Sequence, residues 1–445
     1  MNHRLLRCLP LLLSLILGLS AAASAANFTV GQEDGRWWLF DPDGERFFST
    51  GINVGTPDGY YCPDLGYAPY HVNIMNLYGS EEAWAETAAD RLESWNFNTL
   101  GGWCDNGLLG DRLYYTTILY MSGADWLSGF VPDYWSDDFY ENVEEKAATC
   151  ANYLGDERLI GYFLDNEMRW GFDWRRQADL FSDYIALPPD SPGKRVLVQF
   201  FRERYADNIV EFKAVHGLDI RGWDDLLYLR EVVPIPLTKE QADDREAWLA
   251  EVAEQFFSVT TEAVRAVDPD HLILGSRFVS WLTPQVVAEA AARYVDVMSI
   301  NHYMVWQPWQ WLAYNLSDDL RLVSPEDMLV NYNGLSDLPI LISEFSFRGL
   351  DAVPPSTFPP AWVFMTAADQ TQRTEWMSDY THQCTHSDYI VGYHWFAYVD
   401  EPELGRFDGE DSNFGLVDEQ DEPYEQLTAA FTEINAEVYN WPFTD

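Results

Sequence analysis

The sequence predicts an α/β fold, a (β/α)8 TIM barrel preceded by a short β-hairpin. Two observations predict it. Short apolar runs alternate with amphipathic stretches along nearly the whole chain, the pattern of parallel βα units. Eight such runs occur in order, with no Pro/Ser/Gly linker, tandem repeat or low-complexity tract between them. A barrel of this kind accommodates a chain of 445 residues as a single domain.

The first 26 residues read as a signal peptide: Arg4 and Arg7, an apolar core from Leu9 to Leu19, then Ala23-Ser24-Ala25 as a cleavage signal. The core is too short to span a bilayer. The expectation is a secreted or periplasmic protein of residues 27–445, with no membrane segment after cleavage. Residues 35–48 read as a hairpin, RWWLF and ERFFS joined by Asp41-Pro42-Asp43-Gly44. Its second arm leads into Gly51-Ile52-Asn53, the first barrel strand.

Seven further strands are expected at 98–103, 113–120, 159–164, 272–276, 295–300, 339–343 and 390–396. Helices are expected at 81–94, 139–153, 195–216, 245–267, 284–293, 324–332, 367–383 and 424–438. The gap between strands four and five holds two long helices and an insertion near 219–235.

Composition narrows the function. Hydrophobic residues make up 47% and aromatics 16%, which excludes a disordered chain. Acidic residues number 72 against 27 basic, a net charge of -45, which argues against a nucleic-acid partner. Only four basic residues are lysine, and such acidic, lysine-poor surfaces suit a salt-rich environment. The expected partner is neutral. The mature chain has four cysteines, and export permits disulfides; Cys62 and Cys104, both following early strands, are the favoured pair. His382 and His386 flank Cys384 at helical spacing, but an exposed helix end explains them better than a metal. Strand one lacks an H-x-H and the Asp408–Asp411 cluster lacks EF-hand spacing. No metal and no cofactor are expected.

In a barrel the reactive groups stand at the C-terminal strand ends. Strand four ends in Asp165-Asn166-Glu167 and strand seven in Ser343-Glu344. Two carboxyls facing each other across the mouth suit glycoside hydrolysis, one as acid/base and one as nucleophile. About 5–5.5 Å between them would give retention of configuration. Asn166 would hydrogen-bond a sugar hydroxyl. Asn53, Arg277 and His302, at strand ends one, five and six, are further candidates for hydroxyls. The loop after strand six carries Trp306, Trp309 and Trp311 around a proline, a sugar-stacking platform with Trp306 as its first member. Trp103, Trp170 and Trp174 divide evenly between such stacking and packing among loops. His394 is expected to point away from the barrel centre.

The chain also resembles clan A retaining glycoside hydrolases, and most closely the family 50 β-agarases. The resemblance rests on RFFSTGIN (46–53), FNTLGGWCD (97–105), GYFLDNEMRWG (161–171), ILGSRF (273–278), SINHY (299–303), LISEFSF (341–347) and GYHWFAYVDEPELGRFDGEDSNFGLVDEQDEPY (392–424). It implies Glu167 as acid/base and Glu344 as nucleophile. It further implies Tyr303 as a hydrogen-bond partner of the nucleophile, Trp395 beneath the reacting sugar and Glu410 as a sugar contact. The implied substrate is agarose or its oligosaccharides, cleaved at β-1,4-galactosidic bonds by double displacement. Another clan A activity, on a β-galactoside, porphyran or glucan, is the alternative, followed by a non-catalytic carbohydrate-binding protein.

Overall fold

The computed structural model describes residues 27–233, 235–304, 325–361 and 363–440. The proposed signal peptide and the Trp306–Trp311 platform lie outside the described residues. The chain opens with β1 (Thr29–Glu33), β2 (Arg36–Phe40) and β3 (Arg46–Phe47), an antiparallel three-stranded sheet. The expected hairpin is therefore two arms of a larger unit. Asp34 and Gly35 form its first turn, with φ of 53° and 79°, which suits a two-residue hairpin loop. In the second turn the Asp41 carboxylate accepts from the Asp43 and Glu45 amides at 3.0 and 2.9 Å.

The remaining strands are β4 (Ser49–Ile52), β5 (Thr99–Leu100), β6 (Tyr114–Ile118), β7 (Leu159–Phe163), β8 (Leu272–Ile273), β9 (Phe278–Val279), β10 (Met298–Asn301), β11 (Ile340–Phe345), β12 (Arg348–Gly349), β13 (Thr366–Ala367) and β14 (Ile390–Trp395). Strands β12 and β13 pair apart from the rest. The other nine form one parallel sheet in the order β8-β7-β6-β5-β4-β14-β11-β10-β9. Its two outermost strands are pieces of a single segment, so the sheet curls until its ends are sequence neighbours. The Leu274 amide donates to Tyr162 on one side, and the Val297 amide donates to Ile273 on the other.

Helices cover the outside. The helix Glu81–Ser94 starts where expected because the Ser80 hydroxyl accepts from the Ala83 amide. Its buried residues, Trp84, Ala85, Ala88, Ala89 and Leu92, fall on one helical stripe. The helix expected over 195–216 is two, Pro192–Arg204 and Ile209–His216, broken where Ala206 and Asp207 take φ of 47° and 64°. The helix Pro69–Tyr78 was not expected from the sequence. Among the described residues no helix is long and apolar enough to cross a membrane.

Inside the curl, Ile160, Leu272, Leu341 and Val391, at the starts of their strands, pack with Leu39 and Phe47 of the N-terminal sheet and with Phe28 just before it. That sheet plugs the N-terminal end of the curl and leaves the C-terminal end to the loops. Further along, His394 occupies the interior rather than turning away. Its Nε2 lies 2.8 Å from the Ser49 hydroxyl, and a Cβ on Gly51 would stand 2.3 Å from its ring. The expected orientation of β14 was thus one residue out of phase. The cysteines also depart from expectation: Cys62, Cys104, Cys150 and Cys384 are all free thiols, and Cys104 instead accepts from the Gly55 amide at 3.2 Å. His382 and His386 are exposed while Cys384 between them is buried, so the three do not converge.

Candidate active site

Glu167 leaves the end of β7 with a φ of 48°, a left-handed conformation that costs a non-glycine residue about 1–2 kcal/mol. Backbone contacts hold it there: its amide donates to the Arg277 carbonyl at 3.3 Å, and Arg175 Nη1 donates to its own carbonyl at 2.8 Å. Glu344 lies within β11 and is buried. Both line a cavity of about 400 Å³ at the C-terminal strand ends, shared with Tyr60, Trp103, Trp126 and Phe396.

Donors are distributed unequally between the two carboxylates. Glu344 is ion-paired with Arg277 Nη2 through one oxygen and accepts from the Tyr303 hydroxyl at 2.7 Å through the other. Burial, and then the Glu344 charge, hold the Tyr303 hydroxyl well above its ordinary pKa, so it remains a donor. Glu167 accepts neutral donors, Asn301 Nδ2 at 3.1 Å and Trp126 Nε1 at 3.3 Å. Burial, and then the negative charge of Glu344, push its pKa up to about 7, against the opposing pull of Asn301, Arg175 and Arg277. One carboxyl is thus set up to carry a proton near neutrality while its neighbour is held by a cation.

Asn166 also enters this network. Its Oδ1 accepts from Arg277 Nε at 2.7 Å and from Asn301 Nδ2 at 3.3 Å. Arg277 is fully buried, with its guanidinium carbon 4.8 Å from the Trp103 ring centroid. Trp103 in turn donates to the Tyr120 hydroxyl at 2.6 Å.

The structure therefore brings Asn166, Glu167, Arg277, Tyr303, Glu344 and Trp103 together. Asn53 supports this network from beneath, and three other candidates, His302, Trp395 and Trp170, lie elsewhere. Asn53 is buried and braces strand ends, donating to the carbonyls of Ser343 and Trp395 at 3.1 and 3.3 Å, and its Oδ1 accepts from the Gly102 amide at 2.8 Å and from Arg277 Nη2 at 3.3 Å. His302 turns outward, its Nδ1 2.7 Å from the Tyr380 hydroxyl. The register of β10 against β11 shifts between Ile300 and Asn301, and Asn301 reaches Glu167 instead. Trp395 also faces outward, edge-on to Phe345 and Phe431 at 5.2 and 5.3 Å, and Phe396 takes the cavity side. Trp170 packs into the core against Phe257.

Glu410 belongs to a loop folded around Arg406, which lines the cavity. Arg406 Nη2 donates to Glu410 at 2.7 Å, and its Nε lies 3.3 Å from the buried Glu401. Burial raises Glu401 to about 7 and Glu410 to about 8 despite Arg406, and raises nearby Asp400 to about 7 despite Arg373. The fold thus holds protons that the unfolded chain releases near pH 4. Stability should decline as pH rises from there and level off above about 8. Calorimetry in high salt, which screens surface repulsion, should show the melting temperature falling by several degrees between pH 5 and 8. The fall should be smaller in Glu410→Gln; a flat wild-type profile would contradict this.

No family model matches the chain. Among curated proteins it is similar to β-agarase A of Vibrio sp. (strain JT0107), 30% identical over 94% of this chain. β-Agarase B of the same strain is 26% identical over 93%. The chain spans about half the length of these relatives, 46% and 48% respectively. Among solved structures an exo-β-agarase superposes with a TM-score of 0.76 at 24% identity, over 94% of this chain and 65% of that one. A second agarase gives 0.74 at 24% identity, over the same shares. These two likenesses establish the α/β fold.

Trp126, Asn301, Arg406, Tyr60 and Phe396 were not anticipated. Asn301, Phe396 and Arg406 stand within the motifs 299–303 and 392–424, the first two beside His302 and Trp395; Trp126 and Tyr60 carry no such signal.

Proposed function

We propose that this chain is a retaining glycoside hydrolase of the β-agarase family, acting on a neutral galactan such as agarose. Its scaffold in this reading is a complete (β/α)8 barrel, residues 27–445 forming one catalytic domain exported after loss of residues 1–26. The observation that carries the reading is the division of labour in one cavity: Glu167 shifted to about 7, Glu344 fixed by Arg277 and Tyr303. The relatives' names supply the substrate class.

In the first step a Glu344 oxygen attacks the anomeric carbon. The glycosidic bond breaks as Glu167 gives its proton to the departing oxygen. The leaving sugar departs with that proton, and the glycosyl group remains as an ester on Glu344. In the second step Glu167, now anionic, takes a proton from water as the water oxygen attacks the same carbon. Glu344 is released and configuration is retained. Arg277 and Tyr303 orient Glu344 for attack and stabilise it as it leaves. Asn166, Trp103 and the loop bearing Glu410 and Arg406 contact the sugars.

The test is product chromatography on agarose over time, beside porphyran, β-glucan and aryl β-galactosides. We expect neoagaro-oligosaccharides, and neoagarobiose from the outset if action is from a chain end. Cleavage of a different glycan alone would reassign the substrate. Binding of agaro-oligosaccharides without turnover would overturn the enzyme reading.

A further inference from the structure

We infer that Trp126, Trp174 and Trp281 form a stacking track for the sugar units on the leaving-group side of the scissile bond. Trp126 stands on the loop after β6 and donates through Nε1 to Glu167 Oε2 at 3.3 Å. It therefore touches the carboxyl that protonates the departing oxygen, which places it beside the departing chain. Its ring centroid lies 6.3 Å from that of Trp174, which lies 6.5 Å from that of Trp281. The three rings form a row leading away from the cavity. They come from three separate segments, so local sequence does not reveal the row.

Two features distinguish the row from ordinary packing. Trp174 is 54% exposed, an unfavourable position for a large apolar ring unless something covers it. Two of the three rings also pack on a buried cation. The Arg175 guanidinium carbon sits 4.5 Å from the Trp174 centroid and 5.5 Å from that of Trp126. Asp173 neutralises Arg175 at 2.6 Å, and Arg175 Nη1 is tied to the Glu167 carbonyl. Trp126 and Trp174 are thus positioned relative to the acid itself. Trp126 meets Trp174 edge to face at 68°, while the Trp174 and Trp281 planes lie within 30° of each other and suit the C–H faces of successive pyranose rings. A neutral glycan is favoured because the guanidinium is already paired.

The inference rests on the glycosidase reading, and the experiment separates the two. Measure kcat/KM on oligosaccharides of increasing length from whichever glycan the wild type cleaves. In the wild type it should rise with length. In Trp174→Ala and Trp281→Ala the longest substrates should lose about tenfold and the shortest much less, flattening the rise, with Trp174→Phe restoring part of it. An equal loss at every length, or none, overturns the track while leaving the glycosidase reading intact. If the wild type cleaves nothing, the glycosidase reading fails. Tryptophan fluorescence titrated with agaro-oligosaccharides then decides the track: length-dependent quenching lost in Trp174→Ala supports it, and its absence overturns it.

Discussion

Glu344→Gln should lose hydrolysis almost completely, with kcat falling by at least ~10⁴-fold, the scale seen when a covalent nucleophile is removed. The amide keeps one oxygen to accept from Arg277, and its NH2 can donate to the Tyr303 hydroxyl oxygen, so the cavity keeps its shape. It cannot form the glycosyl ester. Arg277 also loses its buried counter-charge, so the melting temperature should fall, and circular dichroism must show a folded protein before the kinetics are read. A Glu344→Gly variant gives the sharper result. Azide can enter the vacated space and attack the anomeric carbon while Glu167 still protonates the leaving oxygen. One displacement then replaces two, and the product is a glycosyl azide of inverted configuration. Full activity in Glu344→Gln, or an azide product of retained configuration, would remove Glu344 from the nucleophile's role.

The strands with buried faces were the easiest to read. Leu159–Phe163, Ile340–Phe345 and Ile390–Trp395 are buried throughout, so each appears as a predominantly apolar run, interrupted only by Ser343, Glu344 and His394. The segment 272–279 was harder, because it is two short strands separated by Gly275 at φ 84° and Arg277 at φ 49°. A run that changes partners midway has no single period. The helix Pro69–Tyr78 was invisible for a related reason. It buries only Pro69, Tyr70 and Ile74, too narrow a stripe to stand out.

For the site, Glu167 and Glu344 were legible because apolar strands lead directly into them. Phase was the weak point. At β10 the register shift placed Asn301 rather than His302 over Glu167, and at β14 a one-residue error exchanged Phe396 for Trp395. Side chains alternate faces along a strand, so one step suffices to move a residue from cavity to core. Trp126 and Arg406 stand on loops, where no periodicity exists to read.

Glu167→Gln should give the second large effect, but one that depends on the leaving group. With a poor leaving group, such as another sugar, kcat/KM should fall by ~10²–10⁴-fold. An aryl galactoside with an acidic phenol needs little protonation and should be attacked at nearly the wild-type rate. Azide should then speed turnover by replacing base-assisted water, and its product should keep the configuration of the substrate. The pH profile gives an independent reading. The first step needs Glu167 protonated, and its pKa lies near 7. The protonated fraction therefore falls as pH rises through 7, so kcat/KM should show an alkaline limb there, and Glu167→Gln should lack it. Asn301 donates to Glu167 and pulls that pKa down. Its removal in Asn301→Ala favours the neutral acid, so the limb should move to higher pH. A limb that stays in place in Asn301→Ala, or persists in Glu167→Gln, would assign the titration to another group, with Glu401 and Glu410 of the Arg406 loop the first to test.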